Sequence, residues 1–275
     1  MGFAYHGNAM AFGARIERPT TDVIPSQASV VLAPCGGEGT ATVKNFNYKG
    51  IITFDEANSY VAGSSETLRG DDGQETRVYN TLATVSVRNL NIANMFFAES
   101  IVARVSSRHD GLQDVEGKIT FDGSMMEGVR IAGYKGDVTL DTSLFARYPT
   151  YDSFVSGLQE KNQDVTDRAP MFGWQAGKNA RGPQKGSGGL VSATLLDSLT
   201  HRIPDVSEFK PDRRPHIYRD GFGIRVQEFG TIYLAEVHMK PGQRRLSMLR
   251  FDLGCPLCGD AAGPIVEGNG APTIP

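Results

Sequence analysis

One short pattern occurs three times in the first half of the chain, and it constrains the fold more than any other feature. The three copies occupy residues 43–55, 87–99 and 129–141, so their starts are 44 and 42 residues apart. A weaker copy follows at residues 224–236. Each clear copy has two short apolar-rich segments around a bend. The pattern therefore predicts a scaffold built from repeated β-hairpins.

The residues at the bends support hairpins, because Gly and Asn tolerate the positive φ that a tight turn needs. The expected turn residues are Lys49 and Gly50, Ala93 and Asn94, and Lys135 and Gly136. If the copies are equivalent, Tyr48, Ile92 and Tyr134 occupy corresponding positions with side chains facing the same way.

The segments between the copies also have strand character. Residues 78–87 and 101–107 are rich in Val, Thr and Ile with partial alternation, and Gly-Asp clusters separate them. Strands at such short intervals predict an all-β protein, an antiparallel sandwich or barrel. We expect residues 1–275 to form a single β domain.

The pattern changes after residue 145, which predicts a helical and loop insertion over residues 146–200. Thr150 can cap a short helix over 151–161, and residues 162–189 are poor in periodicity and read as a loop. Apolar residues spaced as on an amphipathic helix predict a second helix over 190–199. Residues 263–275 are rich in Gly and Pro, which predicts an extended or loosely held tail.

Composition excludes several functions and leaves others open. The net charge of −3 gives no basic face for nucleic acid, and no apolar run is long enough for a transmembrane helix. The amino terminus has no basic leader followed by an apolar segment. We therefore expect a cytoplasmic protein if Met1 is the native start, and an extracellular one if a signal peptide was removed.

Cysteine chemistry is limited to Cys35, Cys255 and Cys258. Three cysteines are too few for a disulfide-stapled scaffold, and an odd number leaves at least one thiol unpaired within the chain. The Cys255–Cys258 spacing could supply half of a zinc site, but no second pair or His motif with zinc-like spacing completes it. The sequence predicts no metal and no cofactor.

Candidate contact residues lie in two places. Trp174 is the single tryptophan and stands in a polar, glycine-rich stretch with Lys178 and Arg181 nearby, where an exposed indole could anchor a partner. Arg244 and Arg245 could form charge-assisted links with acidic neighbours at the rim of an interface.

Two segments carry a family resemblance. Residues 41–145, with their A-T-V strands and V-x-N-[FL] turns, resemble bacterial choice-of-anchor-type β domains. Residues 221–254 look like the carboxyl end of uncharacterised bacterial β proteins. The resemblance implies a β fold, and it implies no known activity or catalytic residue.

These features predict a non-catalytic structural or scaffold protein. It would self-assemble, or bind a protein partner, through β edges and the 162–189 loop. One alternative is an enzyme with a site beneath the 146–200 insertion, which would require a concave pocket with converging ionisable groups. Another is a carbohydrate-binding module, which would require an exposed aromatic platform on one sheet face.

Overall fold

The computed structural model describes residues 2–18, 21–70, 73–112, 116–169, 190–199, 203–204, 206–208, 216–254 and 258–273. Strands make up 67% of the structure and helices 8%, which confirms the predicted all-β class. The strands of the described residues form three antiparallel sheets, and the two large ones pack face to face as a sandwich.

Most of the amino-terminal half consists of strands. They are β1 (Gly2–Met10), β2 (Phe12–Arg18), β3 (Asp22–Gln27), β4 (Val30–Val31), β5 (Gly37–Tyr48), β6 (Ile52–Arg69), β7 (Glu75–Ile92), β8 (Phe96–Asp110), β9 (Lys118–Thr120), β10 (Met125–Glu127), β11 (Val129–Ile131), β12 (Tyr134–Gly136) and β13 (Val138–Leu140).

Three helices follow, and then the remaining strands. These elements are α1 (Leu144–Arg147), α2 (Tyr151–Gln159), α3 (Gln163–Thr166), β14 (Val191–Thr194), β15 (Leu196–Leu199), a 3₁₀ turn (Val206–Glu208), β16 (Ile217–Asp220), β17 (Gly223–Val226), β18 (Gly230–Lys240), β19 (Gln243–Leu253), β20 (Cys258–Ala262) and β21 (Ile265–Thr273).

The first sheet has eleven strands and the second has eight. In the first sheet the main order is β16-β17-β18-β19-β20-β2-β3; β14 pairs with β18, β21 with β19 and β1, and β4 with β1. In the second the order is β12-β11-β8-β7-β6-β5, and β9 and β10 also pair with β8. Strands β13 and β15 pair with each other.

The core lies where β1, β19 and β21 of the first sheet cover β6, β7 and β8 of the second. Two ring contacts bridge the sheets. Phe96 meets Phe251 edge to face with ring centroids 5.4 Å apart, and Phe3 stacks on Tyr79 at 4.3 Å. Burial of such rings dominates the hydrophobic stabilisation of a sandwich core.

The first two copies of the sequence pattern form hairpins with the expected turns. Strands β5 and β6 join through Lys49 and Gly50, and β7 and β8 join through Ala93 and Asn94, with positive φ at all four residues. The positive φ values give these turns the twist that matches the flanking strands.

The third copy does not follow the expected turn. Strands β11 and β12 turn at Ala132 and Gly133, so the prediction of a turn at Lys135 and Gly136 is wrong. Tyr134 is consequently 55% exposed, whereas Ile92 is buried. Gly133 explains the difference, because it accepts positive φ three residues before the expected bend. The duplication of one hairpin unit stays a prediction.

In the second sheet, the alternation of core-facing and outward-facing residues shifts at the same level on four neighbouring strands. On each of β5 to β8, the alternation of more and less buried residues is interrupted by two consecutive residues on the less buried side. The pairs are Lys44 and Asn45, Asp55 and Glu56, Arg88 and Asn89, and Glu99 and Ser100. Asn45 and Asn89 both have φ of 52°, and Asn89 donates a 2.7 Å hydrogen bond to Asp55. Asn is one of the few residues that adopts this conformation readily.

The helical segment begins as the sequence predicts. Thr150 caps α2 and accepts a hydrogen bond from the Ser153 backbone, while the Ser153 hydroxyl accepts one from the Thr150 backbone. Phe154 is buried and Leu158 is partly buried. The short helix α3 follows within the segment that the sequence reads as a loop.

The structure corrects one expectation about the second half and decides between the two alternatives of another. Residues 190–199 form β14 and β15 instead of a helix, because β14 pairs with β18 and β15 with β13. Their apolar spacing fits both structures, and the available strand partners decide between them. Residues 265–273 form β21, which pairs with both β1 and β19, so this part of the predicted tail is extended and is not loosely held.

Candidate functional site

Five neighbouring strands of the first sheet place polar side chains in one line across its outer face. Each strand contributes one residue: Ser192 of β14, His238 of β18, Arg245 of β19, Glu267 of β21 and Asn8 of β1. We call this set the polar row. Directly opposed residues in antiparallel strands have Cβ atoms about 4.5–5.5 Å apart, so each member can reach the next.

Strand alternation explains why these side chains face outward. His238 stands between the buried residues Val237 and Met239 of β18. Arg245 stands between the buried residues Arg244 and Leu246 of β19. Because successive side chains point to opposite faces of a strand, burial of the neighbours directs His238 and Arg245 to the outer surface.

The polar row borders a concave pocket of about 320 Å³. Its lining residues are Leu190, His238, Lys240, Gln243, Arg245 and Glu267. A volume of this size lies at the lower end of the range for small-molecule sites. Five of the six lining residues have polar or charged side chains, which can contact a charged group of a ligand.

Glu267 is the carboxylate of this pocket, and it already has partners. His6 Nε2 lies 2.8 Å from Glu267 Oε1, and Gln243 donates to the same oxygen. Burial alone would raise the pKa of Glu267, but these hydrogen bonds outweigh it and lower that pKa. The hydrogen bond to Glu267 raises the pKa of His6 against the opposing effect of burial. The pair therefore favours the ion pair His6⁺–Glu267⁻.

His238 has a different environment. Its Nδ1 lies 3.0 Å from the Ser192 hydroxyl, and its ring is partly buried. Burial lowers the pKa of His238, and the positive charges of Arg245 and Arg250 add to this effect against the attraction of Glu236. At neutral pH the ring is therefore uncharged, and it can accept a proton.

Two cations of the pocket have no carboxylate close enough for an ion pair. Within the described part of the chain, neither Arg245 nor Lys240 has an acidic oxygen within 4.0 Å. The positive charge of Arg245 nevertheless contributes, from a longer distance, to the lowered pKa of Glu267. Among the described residues, the pocket thus contains an unpaired guanidinium and an unpaired ammonium beside a carboxylate that is already neutralised.

The structure contradicts the expectation for Arg244. Its side chain is fully buried, so it cannot contact a partner at the rim of an interface. Its guanidinium lies 3.8 Å from Glu116 and 5.1 Å from the centre of the Phe145 ring. Burial lowers the pKa of Arg244 to about 10, against the attraction of Glu116, and this value keeps the group charged at neutral pH.

Glu116 connects this buried cation to the helical segment. It accepts hydrogen bonds of 2.8 and 2.9 Å from the backbone of Tyr151, the first residue of α2. Burial raises the pKa of Glu116, although the Tyr151 bond and the charge of Arg244 oppose that rise. Arg244 and Glu116 therefore hold α2 against β19, which is a structural role.

Trp174, Lys178 and Arg181 lie outside the described residues, as does Cys255. Of the two candidates that the structure describes, Arg245 is exposed in the pocket and Arg244 is buried. Cys35 is exposed, and the described residues contain no group of three or more potential metal ligands.

Sequence reasoning missed the residues that complete the pocket. His6 and Glu267 are separated by 261 positions, and Ser192 and His238 by 46. Only strand pairing brings them together, so no local spacing could identify them. The one local signal in the sequence is the alternation of residues 233–239, which predicts a strand that contains His238, and the structure places His238 in β18.

In the described ranges the longest helix is α2, with nine residues, and no helix is long and apolar enough to cross a bilayer. The residues of the pocket all come from strands or from the residue that precedes β14. Its geometry is therefore set by the sheet.

A family model described as a domain of unknown function, DUF8256, matches residues 3–240, and the chain belongs to this family. A comparison with curated proteins and one with solved structures found no match. The family match reaches the polar row in β1, β14 and β18, whereas β19 and β21 follow the matched residues. The resemblance to choice-of-anchor-type domains stays a prediction.

Proposed function

We propose that this member of the DUF8256 family is a non-catalytic binding protein that holds an acidic group of a protein partner in the pocket around Arg245. The observation that carries the proposal is the pair of cations, Arg245 and Lys240, without an ion-pair partner among the described residues, beside a carboxylate that is already satisfied. A cation without an internal partner is available for an external one.

The geometry favours a carboxylate as the bound group. Arg presents a planar fork of donors that fits a carboxylate with two parallel hydrogen bonds, and Lys240 can add a third contact. Gln243 shares the lining with them and donates to Glu267. Glu267 would repel an incoming anion, but the hydrogen bond from His6 reduces that repulsion.

Binding of a peptide with three glutamates tests the proposal. We expect calorimetric titration to give a measurable dissociation constant for the unmodified protein. Arg245→Gln should weaken binding at least tenfold, because a bidentate charged hydrogen bond contributes about 1.5–3 kcal/mol. Arg225→Gln is the matched control, since Arg225 is an exposed strand arginine outside the pocket. Equal loss in both variants, or in neither, contradicts the proposal.

A second candidate function is hydrolysis, favoured by the Ser192–His238 contact of 3.0 Å. A serine hydroxyl beside a neutral imidazole has the arrangement of an activated nucleophile. In this reaction Ser192 Oγ would attack an acyl carbonyl while His238 Nδ1 takes the hydroxyl proton. The cations at Arg245 and Lys240 would stabilise the resulting oxyanion. The imidazolium would return that proton to the leaving group as the carbonyl–leaving-group bond breaks, and water would then hydrolyse the acyl-serine ester.

Covalent labelling separates the two candidates. A fluorophosphonate probe should label the unmodified protein, and Ser192→Ala should abolish the label, if Ser192 is a nucleophile. Ser64→Ala is the control, because Ser64 is an exposed strand serine of the other sheet. An unlabelled protein that still binds the glutamate peptide supports the non-catalytic function.

A further inference from the structure

The longest edge strand among the described residues is β5, at one end of the second sheet. It has twelve residues and pairs with β6 on one side. Within the described ranges it has no strand partner on its other side. An edge of this length presents a row of unpaired backbone groups, which is a template for adding another strand.

The ends of the first sheet are less suited to pairing. Strand β3 has six residues and contains Pro25, which lacks a backbone donor. Strand β16 has four residues and β4 has two. In contrast, β5 contains no proline, and its residues 38–44 alternate regularly between exposed and partly buried positions.

From the charges on this edge we infer that a second copy of the chain pairs with β5 in antiparallel orientation about Ala41. This register places Glu38 of each copy directly opposite Lys44 of the other, and Thr40 opposite Thr42. Glu38, Lys44 and both threonines are exposed on the same face of the strand. Directly opposed charges of opposite sign stabilise a strand pair, and like charges destabilise it.

The register is self-complementary, as a two-fold symmetric interface requires. A shift of two residues in either direction removes the Glu38–Lys44 contact from both symmetric positions. Lys44 has an ion pair with Glu56 at 3.3 Å, but both side chains are partly or largely exposed. Such a surface pair contributes little, so it does not hold Lys44 away from a partner.

An exposed apolar residue beside the edge supports the same interface. Val31 of β4 is 69% exposed, the highest value among the large hydrophobic residues that the structure describes. Its carbonyl oxygen lies about 4.0 Å from the position that a Cβ on Gly39 would occupy. The backbone of Val31 therefore lies close to Gly39, which is inside the stretch of β5 that the proposed register pairs.

Asn45 limits the length of the new ladder. Its φ of 52° interrupts the regular strand directly after Lys44. In the proposed register Asn45 of one copy faces Gly37 of the other, which is the first residue of β5. The regular part of one strand therefore ends opposite the first residue of its partner. The dimer goes beyond the proposed binding function, because β5 and the Arg245 pocket are on different sheets.

Sedimentation of two charge-reversal variants tests the inference. The unmodified protein should be a dimer at micromolar concentration. Glu38→Lys and Lys44→Glu should each weaken the dimer at least tenfold, because each creates two like-charge contacts across the two-fold axis. Glu75→Lys is the matched control, since Glu75 is an exposed residue of an internal strand, and it should dimerise normally.

A mixture of the two single variants gives the decisive result. In a mixed dimer, the new lysine at position 38 of one copy faces the new glutamate at position 44 of the other. The second contact joins the unchanged Lys44 of the first copy to the unchanged Glu38 of the second, so both contacts are opposite in sign. Mixing should therefore restore the dimer with affinity close to that of the unmodified protein.

Recovery in the mixture identifies the contact as one between copies, because lost contacts within one chain cannot be repaired by mixing. A monomeric unmodified protein, or no recovery in the mixture, overturns the inference.

Discussion

Arg244 and Arg245 are neighbours in β19, yet Arg244 is fully buried beside Phe145 and Glu116 while Arg245 faces the outer pocket. The alternation of a strand gives the two identical side chains opposite environments. One therefore stabilises the fold, and the other is available to a ligand. The predictions below separate these roles.

Removing Arg244 should destabilise the protein much more than removing Arg245. We expect Arg244→Ala to lower the free energy of unfolding by about 3 kcal/mol, because it leaves the Glu116 carboxylate buried without its cation. Arg245→Ala should change it by less than about 0.5 kcal/mol. Urea unfolding measures both values, and similar losses in the two variants would show that Arg244 has no special structural role.

The interrupted alternation of the second sheet depends on the conformation of Asn89. Asn89→Ala should cost about 1–2 kcal/mol, because Ala is strained at positive φ and cannot bond Asp55. Asn89→Gly loses the same hydrogen bond but accepts the backbone conformation, so it should cost less. Thermal unfolding of both variants tests this order. A glycine variant that is less stable than the alanine variant contradicts the backbone explanation.

The pair His6–Glu267 should make stability depend on pH in a defined direction. The pKa of His6 is raised in the folded state, so its stabilising contribution is complete below its unfolded value of about 6.5. That contribution is lost as the pH rises through the folded pKa. The stability difference between the unmodified protein and His6→Gln should therefore shrink above this range. A difference that grows with rising pH would contradict the sign.

The pKa of His6 can also be followed directly by its proton resonances. We expect Glu267→Gln to lower this pKa, because the hydrogen bond to the carboxylate is the largest cause of the rise. Glu17→Gln is a suitable control, since Glu17 is an exposed residue of β2 with Arg15 as its partner. An unchanged His6 pKa in the Glu267 variant would show that another group is responsible.

Local sequence signals predicted much of the fold. Turn residues with positive φ identified two hairpins, and Thr150 identified the start of α2. The prediction of a helix over residues 190–199 is wrong because a short apolar pattern fits both the helical and the strand periodicity. The strands that pair with this segment lie far away in the sequence, so they give no local signal. The prediction of the third turn is wrong because the sequence offers two glycines for it, Gly133 and Gly136, and the turn forms at Gly133.

The pocket was less predictable than the strands. Arg245 could be proposed as a contact residue, but nothing local distinguishes it from Arg244. Residues 246–249 of β19 are all buried, so even the known strand does not show a simple alternation from which to assign faces. His6 and Glu267 meet only because β1 pairs with β21. Such contacts depend on the complete sheet order.

Backbone amide shifts during titration with the three-glutamate peptide test the central claim most directly. We predict that the largest shifts occur at His238, Gln243 and Arg245, that they saturate, and that Arg245→Gln removes them while Arg225→Gln does not. Shifts located at β5 or elsewhere outside the pocket, or no shifts at millimolar peptide, would contradict the assignment of this pocket as the binding site.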